Sequence, residues 1–151
     1  MIEVALWEPE IPPNTGNIAR LCAAIGAPLH LIGRLGFRLD NRSLRRAGLD
    51  YWPEVVLRRH ATWGDFEAAT TGRRLWCFSA HARQLYTRVA YAPGDVLVFG
   101  SESYGLPASV LTKYAEQSLT IPMPTGRVRS LNLATAVGIV VYEALRQLHG
   151  W

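Results

Sequence analysis

The stretch that most constrains the fold of this 151-residue chain runs from Leu131 to Leu148, LNLATAVGIVVYEALRQL. Leu133, Ala134, Ala136, Val137, Ile139, Val140, Val141, Ala144, Leu145 and Leu148 are apolar, and only Thr135, Tyr142, Glu143, Arg146 and Gln147 interrupt them. A helix with so little polar face must be covered on nearly every side. In a short chain one sheet face covers only one side, so a second copy of the chain is the expected cover for the other. Ser130 or Asn132 can cap the helix start, where exposed N–H groups also receive anionic or polar ligands. Arg146 and His149 occupy the last turn with Gly150 behind them, as a helix C-terminus prefers. Gly138 costs roughly 1 kcal/mol against Ala in mid-helix, which predicts close approach by a neighbouring backbone.

Just upstream, Ile121-Pro-Met-Pro-Thr-Gly126 cannot be regular, because Pro122 and Pro124 remove backbone donors and Gly126 permits a turn. The rest of the chain alternates. Ile2 to Trp7 reads as a strand stopped by Glu8-Pro9. Pro12-Pro13 predicts no helix before Asn14; Asn14 or Thr15 then caps one with an apolar face of Ile18, Leu21, Cys22 and Ile25, closed by Gly26. Further strands are expected at Leu29 to Ile32, Val55 to Leu57, Leu75 to Ser79, Val96 to Phe99 and Ser118 to Ile121. Helices are expected at Asn41 to Ala47, from a Thr62 cap to about Ala69, and from Pro107 to Tyr114, with His81 to Ala92 irregular. This order predicts one α/β domain spanning 1–151, a parallel sheet with helices on both faces and sites at the carboxyl ends of its strands.

Hydrophobic residues make up 49% of the chain, enough for one core. Sixteen Lys and Arg against twelve Asp and Glu give a net charge of +4, which leans toward a polyanionic partner. All the basic residues but Lys113 are Arg, suited to planar phosphate recognition, though a GC-rich genome gives the same bias. Cys22 and Cys77 each lie in an apolar run and read as buried free thiols of a reducing compartment. The start, MIEVALWEPEIPP, has no basic segment or long apolar run, and no run reaches the roughly 18 residues of a membrane span. A cytoplasmic protein without a membrane partner is expected.

Three loops stand out: Pro12 to Arg20, Phe99 to Pro107 and Ile121 to Asn132. Each begins at or soon after a strand and enters a helix. Dinucleotide binding lacks its G-x-G-x-x-G, and Gly100 to Gly105 has P-loop spacing but Leu-Pro where Lys-Ser/Thr belongs. His30, His60, His81 and His149 are scattered along the chain, so no metal is expected.

The segments N14-T-G-N-I-A-R20, L97-V-F-G-S-E-S-Y-G-L-P107 and I121-P-M-P with R129-S-L-N-L-A-T-A-V137 resemble, in order and spacing, the three motifs of the SPOUT superfamily of RNA methyltransferases. Within it the chain is similar to the TrmH-type ribose 2′-O-methyltransferases. The opening E-P-E-I-P-P-N-T-G-N, the R45-R-A-G-L-D-Y51 segment and the lack of an appended RNA-binding domain narrow the likeness to the minimal TrmL (YibK-like) tRNA enzymes.

The resemblance implies a sheet whose C-terminal part is threaded into a deep trefoil knot, which general topology rules would have excluded. It implies S-adenosylmethionine held there by Phe78, Ser79, Gly100, Glu102, Gly105, Ile121, Met123, Ser130 and Leu131, with S-adenosylhomocysteine as product. Gly100 and Gly105 let backbone approach an adenosine, and Ile121, Met123 and Leu131 suit an adenine slot. For Glu102 a loop cap or ion pair stands beside a role near the sulfonium, and for Ser130 an N-cap stands beside a ligand role.

Arg20 is the implied catalytic residue, with Asn17, Glu102, Ser130 and Asn132. A guanidinium is a poor base, so Arg20 is read as positioning substrate phosphate and stabilising developing alkoxide charge, with Asn17 orienting it or the ribose. Arg42, Arg45, Arg46, Arg127 and Arg129 are candidates for gripping RNA. The implied reaction is 2′-O-methylation of the wobble cytidine or uridine in a tRNA anticodon loop, on leucine isoacceptors, by a homodimer joined through its first and last helices, with no DNA partner. Methylation of another RNA, such as ribosomal RNA, and a non-catalytic RNA-binding knot protein are the alternatives. Tyr104 departs from the Arg of some relatives, which leaves an RNA contact there open.

Overall fold

A computed structural model describes residues 1–39, 42 and 54–151. Among these, seven strands form one sheet: β1 Glu3–Trp7, β2 Leu29–Ile32, β3 Leu57–His60, β4 Leu75–Phe78, β5 Gln84–Leu85, β6 Val96–Phe99 and β7 Ser118–Thr120. The spatial order is β3-β2-β1-β6-β4-β7-β5, and every pairing is parallel. The central strands β2, β4 and β6 are buried at every residue, as continuous apolar runs in a sheet covered on both faces must be.

On one face lie helix α1, Pro12–Ile25, and the last helix, α4, Leu133–His149. Ile18, Ala19 and Cys22 of α1 and Val137, Val140, Val141, Ala144 and Leu145 of α4 pack with Val4, Leu6, Leu31, Leu97 and Leu119 of the sheet. The other face carries two short helices, α2, Trp63–Ala69, and α3, Ala108–Lys113. There Phe66 and Val110 pack on Ala5, Ile32, Cys77 and Val98.

Several expected boundaries moved for identifiable reasons. Helix α1 begins at Pro12, not after Pro13, because proline's missing N–H costs nothing in a first turn whose donors are unpaired anyway. Neither Asn14 nor Thr15 caps it: the cap residue is Ile11, without a side-chain bond. The third strand runs Leu57–His60, displaced from Val55–Leu57, and pairs with β2 from Leu29↔Leu57 to Ile32↔His60. Being an edge, it tolerates Arg58 and Arg59. Strand β5 emerges within 81–92, expected to be irregular, and pairs with β7 through only two residues.

Thr62 caps α2, its hydroxyl accepting from the Asp65 N–H at 3.1 Å, and Asn132, not Ser130, caps α4 through the Thr135 N–H at 3.1 Å. Gly26 and Gly150 end α1 and α4 in the left-handed region. A Cβ on Gly138 would meet nothing within 4 Å, so among the described residues no neighbouring backbone makes the expected close approach. The helix expected at Asn41 to Ala47 lies, Arg42 apart, outside the described residues. So does the loop from Asp50 to Pro53. Cys22 and Cys77 are buried free thiols, and burial pushes each thiol up to about 12.

Candidate active site

Strands β1 and β6 are neighbours whose following helices, α1 and α3, go to opposite faces. Such a divergence opens a crevice at the carboxyl ends of the strands, where ligands of open α/β sheets bind. A cavity of about 750 Å³ lies there, in the size range of small-ligand sites. Its wall is built from loops after β1, β4, β6 and β7.

Two carboxylates tie the crevice across. Glu102, after β6, accepts from the backbone N–H groups of Glu10 and Ile11, both at 2.9 Å, and from Asn14 Nδ2 at 3.2 Å. It thereby supplies the N-terminal cap that α1 lacks locally. Glu10 reciprocates, its carboxylate accepting from the Ser103 N–H and hydroxyl, both at 2.9 Å. Those bonds hold the Glu10 carboxyl below its usual range. Buried Asn14 extends the tie to a third loop, since its Oδ1 accepts from Asn132 Nδ2 at 3.0 Å while Asn132 Oδ1 caps α4. Three segments far apart in sequence are thus joined by two side-chain amides and two carboxylates.

The loop after β6 is tight. Ser101 and Gly105 exchange backbone hydrogen bonds at 2.9 and 3.2 Å, and Gly105 has φ +67°. A Cβ on Gly100 would lie 2.1 Å from the carbonyl carbon of Gly105, so Gly100 is needed first for the loop to close on itself. The floor is apolar, with Phe78 and Phe99 stacked at 4.7 Å between centroids and Leu119 and Leu133 beside them. Ser79 follows β4; its hydroxyl accepts from the His81 N–H at 3.2 Å.

Every residue implied for S-adenosylmethionine lines this cavity: Phe78, Ser79, Gly100, Glu102, Gly105, Ile121, Met123, Ser130 and Leu131. Half-buried Ile121, Met123 and Leu131 present the apolar groups of a nucleobase slot, and the glycine loop and Asn132 supply polar ones. Shape and donor set fit a nucleoside-sized ligand.

Asn132 and Arg129 also stand in the wall. Asn17 and Arg20 do not: both are exposed on α1, Arg20 roughly 9 Å of helix rise beyond Asn14. Arg42 and Arg127 are exposed, while Arg45 and Arg46 lie outside the described residues. Sequence reading missed Asn14 as a site residue, treating it only as a cap; its place at the head of the first motif was the available signal.

His30 and His60, distant in the chain, do meet. His30 Nδ1 lies 2.8 Å from His60 Nε2, and His30 Nε2 lies 2.6 Å from Glu3 Oε1. Glu3 is the first residue of β1 and bonds Arg73 as well, while His60 is the last residue of β3, and none of Glu3, His30 and His60 lines the cavity. Among the described residues no group of three or more His, Cys, Asp or Glu is placed to hold a metal.

Residues 1–142 match the model of the SpoU rRNA Methylase family. The chain is 48% identical over 149 residues to the tRNA (cytidine(34)-2′-O)-methyltransferase of Escherichia coli strain K12, covering 98% of this chain and 94% of that protein. It is 49% identical over 150 residues to the protein of that name from Burkholderia ambifaria, with 97% and 96% covered. A solved structure described as "Structural insights into the 2-OH methylation of C/U34 on tRNA" has TM-score 0.94 at 51% identity, covering 100% of this chain and 98% of that one. The SpoU methyltransferase AviRb from Streptomyces viridochromogenes, in complex with AdoMet, has TM-score 0.82 at 25% identity over 100% of this chain and 61% of its own. With the match running through the crevice loops and nearly all of the sheet, this chain belongs to the SpoU methylase family.

Proposed function

We propose that this protein methylates the ribose 2′-oxygen of the wobble nucleotide, cytidine or uridine 34, in a tRNA anticodon loop, acting on leucine isoacceptors. The observation that carries the reading is the cavity at the β1/β6 divergence, walled by all nine residues implied for the cofactor, in a chain about 48% identical to enzymes of that activity. S-adenosylmethionine, when bound, supplies an electrophilic methyl group and leaves as S-adenosylhomocysteine.

The chain's own residues do the rest. Ile121, Met123 and Leu131 would hold the adenine, the Gly100–Gly105 backbone would offer polar groups to the sugar, and Phe78 and Phe99 would keep water from the floor. Glu102 is held by three donors of the β1 segment, so we assign it the task of fixing the crevice walls rather than contacting the sulfonium. Asn132 and Ser130 orient the ligand and ribose at the start of α4. Arg20, with Asn17 beside it on the same exposed side of α1, acts from outside the wall. It binds the substrate phosphate and stabilises charge growing on the 2′-oxygen as the proton passes to a phosphate oxygen or water.

The assembly we propose is a homodimer joined through α1 and α4. Its support is the far face of α4, where Ala134, Ala136, Gly138 and Ile139 are only half-buried and Tyr142 is 48% exposed. In the same reading the segment after β7 is threaded into a trefoil knot. The interleaved strand order β6-β4-β7-β5 supports this, and such a threading would explain why the cavity wall is made by loops so far apart in sequence. The reaction belongs in the cytoplasm. No helix among the described residues is long and apolar enough to cross a membrane, and the buried thiols suit a reducing compartment.

Nucleoside mass spectrometry of tRNA incubated with the protein and S-adenosylmethionine tests the reading. A 2′-O-methylated wobble cytidine or uridine is expected, absent when the wobble ribose is 2′-deoxy. Equal methylation of the deoxy substrate would overturn it, and methylation of ribosomal RNA instead would identify another substrate.

A further inference from the structure

Tyr104 is 88% exposed, the highest value for any large hydrophobic side chain among the described residues. Its ring makes no ring contact or hydrogen bond among those residues; only its backbone N–H is engaged, donating to Ser101 Oγ at 3.2 Å. A lone exposed tyrosine is ordinary on a protein surface. Two further facts separate this one from the ordinary case.

The first is its place, since Tyr104 stands in the wall of the cavity. The apolar slot that suits a bound adenine is made by the half-buried Ile121, Met123 and Leu131, whereas a ring left almost wholly in water faces the entrance. Arg129, exposed on the last loop, lines the same cavity. The second is the rigidity of its mount. Two backbone hydrogen bonds close Ser101 onto Gly105 around it, and the residue before it is clamped to the Glu10 carboxylate by two more. A flat apolar surface carried into water on a backbone that needs no further ordering saves part of the entropy cost of meeting a planar partner. Single-stranded RNA is recognised by stacking unpaired bases on such rings beside cationic groups.

We infer that Tyr104 is the stacking platform for a splayed nucleobase of the substrate loop, holding the ribose at the cavity mouth while Arg129 meets the adjoining phosphate. This rests on the function proposed above and adds a residue that positions the RNA. Because every base offers a π face, such a platform gives affinity without choosing between bases, which fits an enzyme accepting either pyrimidine. The hydroxyl plays no part.

The test uses the full-length protein with S-adenosylhomocysteine and an anticodon stem-loop RNA carrying 2-aminopurine at successive loop positions. Wild-type protein and Tyr104→Phe should quench one position strongly, and Tyr104→Ala should not. In turnover assays Tyr104→Ala should raise KM for the RNA on the order of 10-fold, the range of one lost base stack, with cofactor affinity unchanged and Tyr104→Phe within about 2-fold of wild type. Undiminished quenching and KM in the Ala variant would overturn the inference. So would an equal loss in Phe and Ala, or a fall in cofactor affinity or dimer stability matching the loss of RNA binding. Quenching reads binding without turnover, so a protein that stacks the base but methylates nothing would sink the proposed function and leave the platform standing.

Discussion

Gly100 shows how an ambiguous residue resolves once its neighbours are known. The sequence reads it as leaving room for a nucleoside, yet the nearest obstacle to a side chain there is the backbone of Gly105 and Leu106, at 2.1 to 2.5 Å. Gly100→Ala should therefore lower thermal stability, by about 2 kcal/mol, together with cofactor affinity. Calorimetric titration beside a melting curve checks this; lost affinity with an unchanged melt would return Gly100 to the ligand. Arg20 poses the opposite case, a residue that geometry leaves outside the wall and the proposed reaction still uses. Arg20→Ala should cut turnover by 10²-fold or more, on the order of one lost oxyanion contact, and spare cofactor affinity. Arg20→Lys should fail as well, because a point charge lacks the planar fork; substantial activity in the Lys variant would show that charge alone suffices. Glu102 was legible as either a cap or a catalytic group. Its bonds to Glu10, Ile11 and Asn14, some 90 residues away, could not be read from the sequence, and they support the wall-fixing role proposed for it.

At the scale of elements, strands β2 and β6 and the bulk of α4 are legible because their apolar runs are long and their stops are marked. Strand β5 is not, because two residues carry no periodicity and its pairing is supplied wholly by β7. The start of α1 was misjudged for a related reason: its cap comes from another loop, and local rules see only local caps. The same blindness hid the meeting of β1, β2 and β3 at Glu3, His30 and His60. The spacings 2.6 and 2.8 Å give a consistent chain if both rings are neutral, His60 Nε2–H donating to His30 Nδ1 and His30 Nε2–H donating to Glu3. Burial is the largest cause lowering both imidazoles from the usual 6.5, overriding the opposite pull of Glu3 on His30. The unfolded chain then binds more protons than the folded one in the window below about 6.5, so stability is present above that pH and is lost as pH falls through it. Melting temperature should drop between pH 7.5 and 5.5, and His30→Gln should flatten that slope. A melt that rises on acidification would mean that the pair is charged in the folded state.

For the whole molecule, the two surfaces to test are the dimer face and the RNA face. Ile139→Asp places a charge on the half-covered side of α4 and should give monomer or aggregate by light scattering, whereas a stable wild-type monomer at micromolar concentration would refute the dimer. Arg127 and Arg129 both stand exposed on the loop that enters α4. Replacing both with Ala should weaken RNA binding across sequences and flatten the slope of log K against log salt by ~1.4 for two contacts to a single strand. An unchanged slope would return both to ordinary solvated charge.

The placement of β1 also governs how the protein comes into being. This strand is synthesised before either of its neighbours yet lies inside the sheet, between β2 at 29–32 and β6 at 96–99, and the helix behind it is covered by α4 at 133–149. A chain emerging from the ribosome therefore carries an unpaired edge of β1 until β6 is made, and the bare apolar stripe of α1 until α4 follows. Its contacts span most of its length, which slows folding and lengthens exposure to aggregation. A truncation after Gly105 would hold six of the seven strands and still lack the helix that covers α1, so nascent chains of this protein should depend on chaperone capacity far more than the finished fold does.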